Sequence, residues 1–488
     1  MMREESKDEA EIAAKQALKP YINEGFVKRF RHGRQLDEVL ELHLTVGRQL
    51  DEVQEYVKTR LAIPKKVKMA LNNKTYLGWL KNAKKSIERE KYKEALHLIN
   101  FLITWLEDSY GSNHKKIRDL LLLRESVFKL NGYTEKAIKD KSIAESIFQT
   151  PIQATDEDPN YSLNQQSGLD ELLNHSENKI LSSLEMRSET GRGRFYVTRE
   201  DIEESVLVLQ EKAYATSVKK EFLDKICNRC NKVLGDQVYP CTMCPQVAYC
   251  SPRCAAMNWK HHKYVCGIMH RFRDPCSDTI VILNCIFRIG IDRALKLFED
   301  DIQRGVRFDP NMLTAETSED ERFLALLTLH DGDSEMHSLF KIPALLDAIV
   351  TVNMLDAEHF LDQYGNDWKI KNRLGGLITK LNQIKKTNGF AIYASKVDME
   401  PLYPHIPSFF GKKDDIQVGS AIVLKASLFN HSCDPNVRWI VRSETRTQNI
   451  LCMRDIKKDG EVMVCYGYHH RDVKSWVYRQ LALYLLYG

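Results

Sequence analysis

The first 226 residues of this 488-residue chain contain no cysteine, and the first twenty, MMREESKDEAEIAAKQALKP, contain no apolar run. From the second absence no secretory leader is expected in these residues. No stretch is apolar for long enough to cross a bilayer as a helix, so no membrane contact is expected. A reducing compartment, cytoplasmic and nuclear, is the expectation, and cysteines there bind metal or stay free more often than they pair. Excess charge is also scarce: a net +4 over this length does not announce direct nucleic-acid binding. With 43% hydrophobic and 28% charged residues the chain can bury a sizeable core, and its length predicts roughly three domains.

What is present is concentrated. Of twelve cysteines, seven fall between Cys227 and Cys266. Their spacing is Cys227-x2-Cys230, Cys241-x2-Cys244, Cys250-x3-Cys254 and His262-x3-Cys266, eight candidate ligands in four pairs. A closed structural zinc takes four Cys or His ligands, so eight predict two sites. A disulfide framework is the competing reading, disfavoured by four pairs in register without a leader. His261 is the weaker candidate, because His262 keeps the three-residue gap to Cys266. Forty residues cannot bury a core of their own, so metal would supply most of the folding free energy. Eight Lys/Arg against one acid from Lys225 to Arg273 leave the zinc-filled segment at about +4, a mild attraction for acidic surfaces or phosphates.

A second cluster, ASLFNHSCDPNVRW, crowds Asn430, His431, Cys433, Asp434 and Asn436 into seven residues. Cys433 and His431 would share one face of a strand, which is the bare signature of an activated thiol. Downstream, NILCMRDIKKDGEVMVCYGYHH sets Asp459-Gly460 between two apolar runs, which predicts a hairpin whose second strand ends at Tyr466-Gly467. Upstream, GRGRFYVTREDIEESVLVLQEKAYA places Gly191 and Gly193 ahead of alternating, β-rich sequence.

The order and gaps of the cysteine-rich segment resemble the MYND zinc finger. Together with NHSCDPN, Tyr466 after GEVMVC, and an Asn-x-Phe in LGGLITKLNQIKKTNGFAIY, the stretch from Gly191 to Tyr466 resembles a SET domain interrupted by that finger. This is the arrangement of the SET and MYND domain-containing (SMYD) lysine methyltransferases. The resemblance implies interleaved ligation, with Cys227, Cys230, Cys250 and Cys254 on one zinc and Cys241, Cys244, His262 and Cys266 on the other. It implies transfer of a methyl group from S-adenosyl-L-methionine to a lysine of a protein substrate, histone or not. Gly191, Arg192, Gly193, Asn388, Ser427, Asn430, His431 and Tyr466 would hold the cofactor, and the Tyr466 hydroxyl would be the catalytic group. For Cys433 it implies a third zinc shared with three later cysteines, yet GYHHRDVKSWVYRQLALYLLYG after Tyr466 contains none. The family pattern Gly-Glu-Glu is also broken here, since Val462 follows Glu461.

Residues 75–150 read as helical. Trp79, Ala83, Ala95 and Ile99, then Phe128, Gly132, Ala137 and Ala144, fit the small and large positions of two tetratricopeptide (TPR) repeats, a pairing that any helical hairpin also uses. Such a region points to the tetratricopeptide-bearing branch of the family. GRQLDEV recurs after fourteen residues, at 33–39 and 47–53, and PKKVK (64–68) resembles a nuclear import signal, although lysines on a helix face are commoner. Acidic loops such as TSEDER are expected to separate the later helices. The expected fold is α+β: a split β-rich SET domain with an inserted two-zinc MYND finger and a helical insert, preceded by a helical TPR-like region. Its expected boundaries are 1–150 for that region, 151–185 for a linker, 186–226 for the first SET part, 227–266 for the finger, 267–395 for the insert, 396–470 for the catalytic core and 471–488 for the start of an incomplete post-SET region. A monomeric methyltransferase with protein partners on the finger and the TPR-like helices is the favoured function. A catalytically inactive adaptor that recruits protein partners, as in transcriptional repression, is the alternative from another class.

Overall fold

The computed structural model describes residues 2–23, 49–65, 73–110, 115–146, 179–180, 183–190, 192–235, 238–241, 243–272, 276–331, 338–395, 415–443, 446–467 and 474–487. Gly191, the first GRQLDEV copy and nearly all of the 151–185 linker lie outside them.

Helices α1 (Met2–Asn23) and α2 (Asp51–Leu61) open the described chain. Asp51 and Glu52 sit in the first turn of α2 and Lys58 and Arg60 in its last, as the helix dipole favours. Their buried residues Ala14, Leu18, Val53, Tyr56 and Val57 belong to the main core of the molecule. The next four helices, α3 (Asn73–Glu88), α4 (Tyr92–Tyr110), α5 (Lys115–Leu130) and α6 (Thr134–Ser146), pack each on the next around a separate core that includes Ala83, Ile99, Phe128, Ala137 and Ala144. Those are small and large positions legible in the sequence. Trp79 differs, keeping 37% of its surface exposed.

Between these helices the Arg124 guanidinium donates to both oxygens of Asp140, at 2.7 and 2.8 Å, and to Asn100 Oδ1 at 2.7 Å. Both partners are nearly buried. Replacing one member strands the other charge without water, a loss of about 3–5 kcal/mol. Asp140→Ala should therefore lower the urea midpoint of this helical body strongly, while the double change Arg124→Leu/Asp140→Leu restores most of it. Equal midpoints for the single and double variants would show that the pair is not the cause.

Strands β1 (Lys179–Ile180), β2 (Leu184–Glu189), β3 (Gly193–Thr198), β4 (Leu207–Lys212) and β5 (Ala215–Val218) precede the finger. The finger contains β6 (Tyr239–Pro240), β7 (Ala248–Tyr249) and α7 (Pro252–His262), the last capped by Ser251, whose Oγ accepts from Cys254 N. Helices α8 (Cys276–Ile289), α9 (Ile291–Arg304), α10 (Glu319–Leu327), α11 (Ser338–Ala357) and α12 (Trp368–Asn388) follow. Then come β8 (Gly389–Ser395), β9 (Asp415–Ile422), β10 (Asn430–His431), β11 (Val437–Arg442), β12 (Thr447–Cys452), β13 (Met463–Val464) and α13 (Trp476–Tyr487).

The main sheet has seven strands in the order β1-β4-β12-β11-β8-β9-β5. Strands from before the finger lie beside strands from after it: Leu209 pairs with Ile450, and Ser217 with Ser420. The split core expected from the sequence is therefore one continuous sheet. Helix α12 buries Leu374, Leu377, Ile378, Leu381 and Ile384, each worth about 1.5–3 kcal/mol in transfer free energy.

Two local expectations are corrected. TSEDER is not a loop: Ser318 and Glu321 form a capping box that starts α10, each side chain accepting from the other's backbone N–H. And the runs flanking Asp459-Gly460 do not pair with each other. The turn exists, with Gly460 N donating to Lys457 O at 2.9 Å, but β12 lies between β4 and β11 while β13 pairs with β10. Tertiary pairing overrides the local hairpin signal.

Candidate functional site

The eight predicted finger ligands gather into two sets, Cys227, Cys230, Cys250 and Cys254 in one, Cys241, Cys244, His262 and Cys266 in the other, with ligand atoms in each within 4.8 Å of one another. Four ligands about 2.3 Å from a tetrahedral zinc stand about 3.8 Å apart. The separations match: 3.5 Å for Cys230–Cys250, 3.6 Å for Cys250–Cys254, 3.9 Å for Cys241–Cys266, and 3.4 Å from Cys244 Sγ to His262 Nε2. The donor sets fit two zinc ions. His262 would ligate through Nε2, and His261 belongs to neither set.

Outside the main sheet a short parallel pair forms. Strand β10 runs parallel to β13, with Asn430 opposite Met463 and His431 opposite Val464. Asn436 clamps the pair: its Nδ2 donates to Glu461 O at 2.7 Å and its Oδ1 accepts from Met463 N at 2.8 Å. Tyr466 then lands against β10, its N–H donating to His431 Nδ1 at 3.0 Å and its hydroxyl to Phe429 O at 2.7 Å. Its ring meets that of His431, and two further aromatic pairs lie on neighbouring elements. Tyr196 meets Phe429 at 4.7 Å, His431 meets Tyr466 at 5.1 Å, and Phe390 meets Trp439 edge-on at 5.2 Å.

His431 cannot be the base of a thiol dyad in this arrangement. Its Nδ1 accepts from Tyr466, so the proton sits on Nε2, which faces Cys433 Sγ at 3.2 Å as a donor. Burial also pushes its pKa down to about 4, so the ring stays neutral near pH 7.

The comparisons with known proteins agree with both halves. The MYND finger family matches residues 227–266 and the SET domain family matches residues 300–467. A SET and MYND domain-containing protein of Dictyostelium discoideum is 21% identical over 289 residues, covering 56% of this chain and 52% of that protein. Another from the same organism is 23% identical over 331 residues, 59% of this chain and 75% of its own. Human histone-lysine N-methyltransferase SMYD3 is 22% identical over 267 residues, 53% of this chain and 49% of its own. The chain carries a SET domain and a MYND finger, as these relatives do. The match spans about half the length of the first Dictyostelium relative and of the human one.

Within the SET domain the predicted residues divide. Arg192 and Asn430 come together through Glu461, while Tyr466 reaches β10 through its own bonds to His431 and Phe429. The Glu461 carboxylate accepts from Asn430 Nδ2 at 2.9 Å and from the Arg192 guanidinium, joining the glycine loop to β10. Gly193 adopts φ +71°, with nothing within 4 Å of where a Cβ would stand, so backbone and open space meet there. Asn388 is engaged elsewhere: its amide donates to His330 O at 2.6 Å and Ile384 O at 2.9 Å, closing the end of α12. Ser427 Oγ donates to Val423 O at 2.5 Å within its own turn. Val462, the departure from Gly-Glu-Glu, is fully buried with its N–H on Tyr196 O at 2.9 Å, where an unpaired second carboxylate would be costly. The roles of Glu461, Asn436 and Tyr196 were not read from the sequence: Asn436 and Glu461 stand in the NHSCDPN and Gly-Glu motifs, while Tyr196 carries no motif signal.

Proposed function

We propose that the SET domain of this chain is a protein-lysine N-methyltransferase that uses S-adenosyl-L-methionine. The observation that carries the reading is the parallel β10/β13 pair, which sets His431 against Tyr466 both by a hydrogen bond and by ring contact. The name of the human relative supports it. When bound, the cofactor would supply an electrophilic methyl group. Gly193, Asn430 and the Asn430–His431 backbone fit such a ligand, with open space at Gly193 and a carboxylate, Glu461, that fixes the Asn430 amide. Neutral His431 keeps a positive charge away from a cationic sulfonium.

Lysine, with a pKa near 10.4, must lose its proton before it can attack. In this reading the rings of Tyr196, Phe429, Trp439 and Tyr466 would disfavour the charged ammonium, and the Tyr466 hydroxyl would orient the neutral amine. The finger and helices α3–α6 would recruit protein partners, the latter in the manner of the tetratricopeptide-bearing branch.

Calorimetric titration of S-adenosyl-L-methionine into the zinc-loaded chain tests the reading. Micromolar binding, weakened about tenfold by Asn430→Ala through loss of a hydrogen-bonded anchor, is expected. No binding, with two zincs retained, would replace the enzyme by an adaptor.

A further inference from the structure

A cavity of about 480 Å³ opens on the seam between the finger and the main sheet. It is lined by six basic side chains, Lys212, Arg229, Lys260, Arg288, Arg322 and Arg446, and by only two acids, Glu211 and Glu319. Both acids are already committed. Glu319 takes the Arg288 guanidinium at 2.5 and 2.8 Å. The buried Glu211 carboxylate accepts the N–H groups of Leu424, Lys425 and Ala426 at 3.0, 2.9 and 2.9 Å.

Among the described residues, Arg229, Lys260, Arg322 and Arg446 therefore have no carboxylate within ion-pair distance. Arg322 donates to the carbonyls of Thr314 and Thr317 (2.6 and 3.1 Å), and Arg446 reaches only Arg229 O, at 3.3 Å. Arg229 Nε and the Tyr214 hydroxyl are buried on the same lining and have no hydrogen-bond partner. Leaving such donors unmet costs about 1–3 kcal/mol each. Burial, and then the adjacent Arg229 charge, both act against the Arg446 cation. The zinc-filled four-cysteine cluster behind Arg229 offsets part of this charge. It does not fill the cavity.

We propose that this seam cavity binds a compact organic anion carrying two or more phosphate groups. One phosphate would leave most of the lining unmet: the volume falls within the 300–1,000 Å³ usual for small-molecule sites, and the cations come from the finger, the strand β4–β5 turn, α8, α10 and the start of β12. Guanidinium forks match phosphate oxygens two at a time, and this lining offers three arginines without a carboxylate partner, one of them with an unmet buried Nε. An anion seated here would tie the finger to the sheet. Glu211 adds a link, since it shares the lining with Arg446 and holds the turn just before Ser427 and Asn430.

The probe is inositol hexakisphosphate, titrated calorimetrically into the full zinc-loaded chain at about 50 and 200 mM salt. Expected are one equivalent bound with micromolar affinity, weaker at the higher salt, and a raised melting temperature. Arg446→Gln and the exposed Lys260→Gln should each weaken binding about tenfold or more, and Lys129→Gln on α5 should not. Metal analysis showing two zincs in every variant separates lost contacts from lost folding. No heat up to about 1 mM probe overturns the proposal, as does equal binding by all variants, which would be diffuse surface attraction. Tighter binding of a hexaglutamate peptide than of the polyphosphate would also overturn it and make the seam a peptide site.

Discussion

Stripping zinc with a strong chelator should unfold the finger and lower the melting temperature of the whole chain by more than about 10 °C. The finger has almost no other source of stability. Its regular structure among the described residues is one two-stranded pair, Tyr239–Pro240 with Ala248–Tyr249, and helix α7, and its ligands Cys227, Cys241, Cys244, His262 and Cys266 are themselves buried core residues. Structural zinc contributes on the order of 10–16 kcal/mol per site at neutral pH, far above what two short strands supply. The loss would spread, because Leu234, Val247, Tyr249 and Val265 of the finger share one core with the sheet. About 2–4 °C per kcal/mol for a domain of this size turns even part of that loss into a large shift. Metal analysis should fall from two ions per chain toward none, with loss of near-ultraviolet ellipticity. Cys244→Ser should remove one ion and leave the four-cysteine site filled. A chelated chain that melts at the same temperature would show that the clusters are not structural zinc sites.

Tyr466→Phe should lower the rate of methyl transfer by about 10²–10³-fold, the scale of removing one polar group from a water-excluding site. Cofactor affinity should stay within about twofold, since the ring and its N–H bond to His431 remain. The same change removes the hydrogen bond to Phe429 O and should cost about 1 kcal/mol of stability. The two readouts separate a chemical role from a structural one. An unchanged rate beside a small stability loss would leave Tyr466 as a strut holding β10 and would remove it from the chemistry.

How much of this was legible in the sequence depended on how local the cause was. Eight metal ligands at fixed gaps are a local pattern, and the structure gathers all of them into the two interleaved sets. The NHSCDPN cluster was equally visible, and Asn430, His431 and Asn436 meet the strand that precedes Tyr466. What escaped is set by partners far along the chain. Glu461 matters because it joins Arg192 to Asn430, a meeting that neither neighbouring sequence encodes. The Asp459-Gly460 turn formed, yet its flanking strands found distant partners, since β12 buries more between β4 and β11 than against a two-residue β13. Helices α1 and α2 read as part of the repeat-like region, but their apolar faces lie on α11, with Arg271 donating to Ile63 O at 2.7 Å. Periodicity shows which face of a helix is apolar, not which neighbour will cover it.

The central sheet also sets a schedule for synthesis. Strand β4 ends at Lys212 and waits for β12, which begins at Thr447, before it gains that neighbour. At roughly 5–20 residues per second the ribosome needs on the order of ten to fifty seconds to make the intervening chain. Throughout that interval the strand Leu207–Lys212, apolar in its first half, has one edge open to other nascent chains. The finger's ligands span only Cys227 to Cys266, so it can load metal long before the sheet closes. Limited zinc and crowded translation are therefore the conditions under which this protein should depend most on chaperones.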